Sequence, residues 1–130
     1  MPKPLDVVGT LGSCGYQIVD LSSDAARCHY YFARLIDPLR AIARSHGYAL
    51  ATHGSLARDI DLIAAPWVEN VSEPQMLAEA IRAEVERIIG HAFLDAYVFP
   101  LRKPHGRLCW SFHLGGGPYI DLSVMVGRCA

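Results

Sequence analysis

Residues 52 to 62 read T-H-G-S-L-A-R-D-I-D-L, and how Asp59 and Asp61 are placed in this stretch decides how the rest of the chain is read. Only 13 of the 130 residues are acidic, yet two of them stand one residue apart, just after a Gly-Ser and inside an otherwise apolar run. A strand that merely fills a core does not want them. Side chains alternate across a strand, so Asp59, Asp61 and Ile63 share one face, with Ile60 and Leu62 on the other. Two carboxylates at that spacing, about 6 to 7 Å, repel each other, and a cation makes the pairing favourable. Oxygen-only donors favour Mg2+ or Mn2+ over zinc. Taken alone, D-x-D equally fits two solvated aspartates at an exposed strand end.

The bulk properties set the frame around this stretch. A chain of 130 residues, 52% of them hydrophobic, suits one domain (1–130) with a single sheet and two or three covering helices. Its net charge of −1 provides no whole-domain basic field for nucleic acid, so any nucleotide must be met by a local site and bound metal. Cys14, Cys28, Cys109 and Cys129 show no C-x-x-C spacing and follow no secretory leader, which leads us to expect reduced thiols in a cytoplasmic protein. The longest apolar runs are far short of a membrane span, so no membrane partner is expected.

Along the chain, 1–21 is an irregular lead-in, with a short edge strand expected at 15–21, and the core spans 22–126. Ser22, Ser23 and Asp24 offer N-caps for a helix whose stripe is Cys28, Phe32, Leu35, Ile36, Leu39, Ile42 and Ala43. Asp37-Pro38 predicts a kink or a fresh start, and Gly47 a stop. Strands follow at 48–52 and 59–64. Ser72, Pro74 and Gln75 then open a second helix through a capping box, with Leu77, Ile81, Val85, Ile88 and Ile89 as its stripe and Gly90 as its end. The last third predicts strands near 94–101, 107–114 and 119–126, with turns at 103–106 and 115–118. The order is that of an α+β fold: a mixed or antiparallel sheet of about five strands against two or three helices.

A third acid strengthens the metal reading. In Tyr119-Ile-Asp-Leu-Ser-Val-Met-Val126, Asp121 interrupts an apolar strand and shares a face with Tyr119, Ser123 and Met125. An acid in mid-strand costs several kcal/mol if buried unpaired, so it is exposed or faces a cation. An apolar strand, Gly54-Ser55, then Asp59-Ile-Asp61, and much later Asp121 together resemble the DNA polymerase beta-like nucleotidyltransferase superfamily. The segment 39–50 looks like the helix leading into that family's first strand, so the resemblance covers about residues 36 to 126. It implies that Gly54 and Ser55 hold the phosphates of an NTP. It also implies that Asp59, Asp61 and Asp121 bind two Mg2+ or Mn2+ ions and carry catalysis. Family members carry a longer link with a short helix after Gly-Ser. Here Leu56-Ala57-Arg58 is the whole link, which removes the helix-dipole contribution and leaves Arg58, with the cluster at Arg102, Lys103 and Arg107, as the candidate cations for the triphosphate.

Other polar groups are weaker candidates. Arg107, Cys109, Ser111 and His113 share one strand face, and pairing of 107–114 with 119–126 would bring Ser111 or His113 near Asp121. His53 suits a loop-orienting role. Arg102, Lys103, His105 and Arg107 form a basic cluster that fits a solvated hairpin turn better than a phosphate site. Trp67 and Trp110 are expected to pack, with base stacking a second use for Trp67. No P-loop or Rossmann signature occurs. The expected function is transfer of a nucleoside monophosphate from an NTP to an acceptor hydroxyl on a protein, an RNA or a small molecule. With no second domain expected to hold the acceptor, a homodimer, a heteromeric partner or the chain's own termini must help select it. Three other functions fit the same residues: a degenerate nucleotide-binding partner subunit, a metal-dependent phosphodiesterase or nuclease, and a small interaction domain with aspartates at a wet sheet edge.

Overall fold

The computed structural model describes residues 6–7, 18–90, 93–94, 100–115 and 117–126. Helix α1 runs from Asp24 to Ser45, with Ser23 as its N-cap. The Ser23 hydroxyl accepts the Ala26 N–H at 3.0 Å, and Asp24 and Arg44 complement the dipole at the two ends. The helix continues through Pro38 and does not start afresh at Asp37. Pro38 removes one backbone donor, but Leu35, Ile36 and Leu39 around it are all buried, and this packing holds both halves to the same core. Phe32 and Ile42 of the expected stripe are only partly buried, against the edge of that core.

The chain turns at Gly47, whose φ is +91°, into an antiparallel hairpin of β3 (Tyr48–His53) and β4 (Ile60–Pro66). A Cβ at Gly47 would lie 2.8 Å from a Val68 methyl, so this turn admits no side chain. Helix α2 (Pro74–Ile89) is capped by Glu73, which makes no side-chain cap hydrogen bond, so the expected capping box is not formed. Ser72 has another job: its N–H bonds the His46 carbonyl at 3.0 Å, and its own carbonyl accepts the buried Tyr48 hydroxyl at 2.6 Å. Pro74 stands in the first turn, where a missing N–H costs nothing.

The remaining strands are β5 (Phe93–Leu94), β6 (Leu101–Lys103), β7 (Arg107–His113) and β8 (Tyr119–Met125). Of the single strand expected near 94–101, the described residues show β5 at its start and β6 from its end onward, and 95–99 lie outside the described residues. In the lead-in, β1 (Asp6–Val7) pairs with β2 (Ile18–Val19) as a separate two-stranded sheet, so the expected edge strand is not an edge of the main one. Most of 1–21 lies outside the described residues, as do Cys14 and Cys129, while Cys28 and Cys109 are buried free thiols.

The main sheet has the order β3-β4-β8-β7-β5, with β6 also pairing β7. Among the described residues, β4 and β8 pair in parallel and every other neighbouring pair is antiparallel. This is an α+β fold with a mixed sheet. One sheet face carries Leu50, Ile60, Leu62, Trp110, Phe112, Ile120, Leu122 and Val124 into a core shared with α1 and α2. The strand alternation therefore sends Asp61 and Asp121 to the opposite face, away from both helices.

Candidate functional site

Register alone assembles a polar row across four strands. Asp61 of β4 is the direct partner of Asp121 of β8, Asp121 pairs with Ser111 of β7, and Asp61 pairs with His53 of β3. Directly opposed residues point to the same side, so His53, Asp61, Asp121 and Ser111 lie in one line on the open face. Neighbouring strands are about 4.8 Å apart, which makes the two carboxylates close neighbours despite 59 intervening residues. Ser111 Oγ donates to Asp121 Oδ1 at 2.6 Å. Burial pushes the Asp121 carboxyl above its usual range; the Ser111 hydrogen bond opposes this, while the charge of Asp61 and a hydrogen bond shared with it push it further up.

Gly54, in the β3–β4 link, lies against the Asp61 carboxylate. Its φ is +79°, and a Cβ there would come within 2.8 Å of Asp61 Oδ2. The next residues form no helix, and Leu56 takes a φ of 56° that folds its side chain back against the core. Ser55 and Arg58 are exposed along this link. Asp59 stands one residue before β4, not within it, and its carboxylate lies against the Tyr119 hydroxyl. The Tyr119 phenol is raised above its ordinary pKa chiefly by the charge of Asp59, then by that of Asp121. Asp59 thus borders the carboxylate pair through Tyr119. Among the described residues, no group of three or more His, Cys, Asp or Glu side chains stands at metal-ligand spacing.

The open face is hollowed into a cleft of about 370 Å³ lined by His53, Asp61, Asp121, Ser111, Tyr119, Cys109, Ser123, Leu101, Lys103 and Arg107. Ser55, Arg58 and Asp59 do not line it. Cys109 and Ser123 form its floor, and burial pushes the Cys109 thiol up, so it is a neutral group there. At the far end of β4, Trp67 is 80% exposed, so it does not pack as expected, whereas Trp110 is buried. Trp67 follows Pro66, a strand-end residue that pairs with no apolar neighbour beyond Tyr48, and six residues of strand put it about 20 Å from Asp61.

Sequence alternation placed Asp61, Asp121 and Ser111 on related faces. It did not find Tyr119 as the partner of Asp59, although Tyr119 stands two residues before Asp121 on the same strand face. Nor did it find Lys103 in the cleft, because the β6–β7 register decides that. Among the described residues, no helix is long and apolar enough to cross a membrane. Comparison of the chain with models of known families, with characterised proteins and with solved structures finds no match.

Proposed function

We propose that the protein is a metal-dependent nucleotidyltransferase whose acid pair, Asp61 and Asp121, binds a hard divalent cation and an NTP in the open-face cleft. The observation that carries this reading is the direct register of Asp61 with Asp121 on adjacent parallel strands, half-buried and aimed away from the core. Two like charges held that close, with Ser111 fixing one and Gly54 pressed on the other, form an oxygen donor set that suits Mg2+ or Mn2+. Bound there, the cation would neutralise charge on the triphosphate and lower the pKa of an attacking hydroxyl. Asp121, oriented by Ser111, is the group placed to accept that hydroxyl's proton. Asp59 would join the set only by exchanging its contact with Tyr119.

The test is calorimetric titration of Mg2+ and Mn2+ with and without each NTP, joined to an assay for pyrophosphate release. Metal-dependent NTP binding that disappears in Asp61→Asn, with the fold retained, is the expected result. Tyr119→Phe should tighten metal binding several-fold, because it frees the Asp59 carboxylate from its hydrogen bond. If no NTP binds even with metal, the degenerate partner-subunit reading takes its place.

A further inference from the structure

The cleft has two ends of opposite sign. Moving along β8 from Asp121, the open-face residues are Ser123 and then Met125, and across β7 they are Ser111, Cys109 and Arg107. Lys103 is the register partner of Arg107 across the β6–β7 hairpin, so the two cations stand side by side on the same face. Arg102 pairs with Leu108 and therefore points to the opposite face. The four-residue basic cluster of the sequence is thus split, and only Lys103 and Arg107 enter the cleft.

Arg107 is held in place. Its Nε donates to the Pro104 carbonyl at 3.1 Å and its Nη1 to Ser123 Oγ at 3.4 Å. A guanidinium has five N–H donors, and among the described residues the others find no acceptor. No carboxylate among the described residues forms an ion pair with Lys103 or Arg107; the ion pairs found are all within the two helices. Two cations side by side repel each other, and both the anchored Arg107 and the exposed Lys103 line a cavity of about 370 Å³, a size that holds a small ligand. A planar guanidinium fork beside an ammonium matches a phosphoryl group.

We propose that Lys103 and Arg107 form an anion subsite that takes a phosphoryl group of the ligand, the one distal to the carboxylates. This rests on the nucleotide reading for the identity of the ligand, but the subsite itself needs only the cations. It assigns a polyphosphate lying along β8, over the small floor residues Ser123 and Cys109, from the acid row toward the β6–β7 hairpin. The row of Ser123 is about 7 Å from that of Asp121, within the length of a triphosphate chain. The charge that the compressed link cannot supply at Arg58 is thereby supplied from the other side of the cleft.

Inorganic tripolyphosphate, titrated calorimetrically in the presence of a metal chelator, tests this without nucleotide or metal. The wild-type chain should bind it, and Lys103→Ala and Arg107→Ala should each weaken binding tenfold or more. Lys103→Arg should retain it, and Arg58→Ala and Arg102→Ala should leave it unchanged. Asp61→Asn should strengthen it, since the variant removes an opposing charge at the other end of the cleft. Thermal melts identify any variant that fails to fold, and the exposed Lys103 remains informative if Arg107→Ala is one of them. No tripolyphosphate binding by the wild type, or equal losses in Arg58→Ala and Arg102→Ala, overturns the subsite. Tripolyphosphate binding that depends on Lys103, in a chain that binds no NTP with metal, upholds the subsite while removing the nucleotidyl-transfer reading.

Discussion

Asp121 is a carboxyl held where its charged form is disfavoured. Its folded-state pKa is raised above 3.8, first by burial and then by Asp61, against the opposing Ser111 hydrogen bond. Between the unfolded and folded values the native chain binds more protons than the unfolded one, so stability falls as pH rises through that interval. The favourable contribution is complete only below the unfolded value and is lost at neutral pH. Asp121→Asn should therefore raise the melting temperature relative to wild type at pH 7 and lose this advantage as the pH approaches 3; a difference that is constant with pH would contradict the assignment. Gly54 presents the complementary case of a residue fixed by what it lacks. Gly54→Ala should cost about 1–2 kcal/mol from the left-handed backbone alone, and more from the contact with Asp61 Oδ2. In an Asp61→Ala background the second part vanishes, so a double-mutant cycle by urea unfolding should return a coupling of roughly 0.5–3 kcal/mol. Simple additivity would mean that Gly54 and Asp61 do not meet.

Helix α1 keeps Pro38 in its interior, although proline there removes a hydrogen bond and crowds the preceding turn. Pro38→Ala should stabilise the domain by roughly 1–3 kcal/mol, read as a shift in urea midpoint at constant m-value. No change would mean that the Pro38 ring itself packs well enough to offset the lost bond. The same helix shows what periodicity can and cannot reveal. The spacing of Cys28, Leu35, Ile36, Leu39 and Ala43 identified the buried face, and Ser23 the cap, because both signals are local. The dipeptide Asp37-Pro38 gave the opposite local signal, and tertiary packing overrode it. For α2 the stripe was legible, but Ser72 was not a cap, because its backbone is engaged by His46 and Tyr48 from distant parts of the chain. Strand parity on β7 and β8 was equally legible: Ser111 and Asp121 were placed on faces that pairing then made one. That Asp61 and Asp121 share one face on neighbouring strands was implied by the family resemblance, and the two stand in direct register; the parallel sense of that pairing was not legible, since no residue between them encodes it.

The molecule as a whole is a sheet with two unlike faces, one sealed by helices and one carrying charged groups over an open cleft. Such a division predicts that adjacent residues of a central strand differ sharply in what they contribute. On β4, Leu62 is 1% exposed and sits in the helix-facing core, while Ile63, its neighbour, is only partly buried on the open face. Leu62→Ala removes apolar contacts from a region that can collapse little, at a cost of about 2–5 kcal/mol. Domains of this kind have about 5–15 kcal/mol in total, so this one truncation consumes a large fraction of the stability. Ile63→Ala leaves a surface that water can reach, so no sealed cavity remains and the loss should be at most about 1 kcal/mol. The same contrast should hold on β8 between Leu122, which is fully buried, and Met125, which is not. Urea unfolding of the four alanine variants measures it directly. If Ile63→Ala costs as much as Leu62→Ala, the face bearing Asp61 and Asp121 is not open but covered, by a second copy or another chain. In that case the losses for Ile63→Ala should depend on protein concentration while those for Leu62→Ala should not.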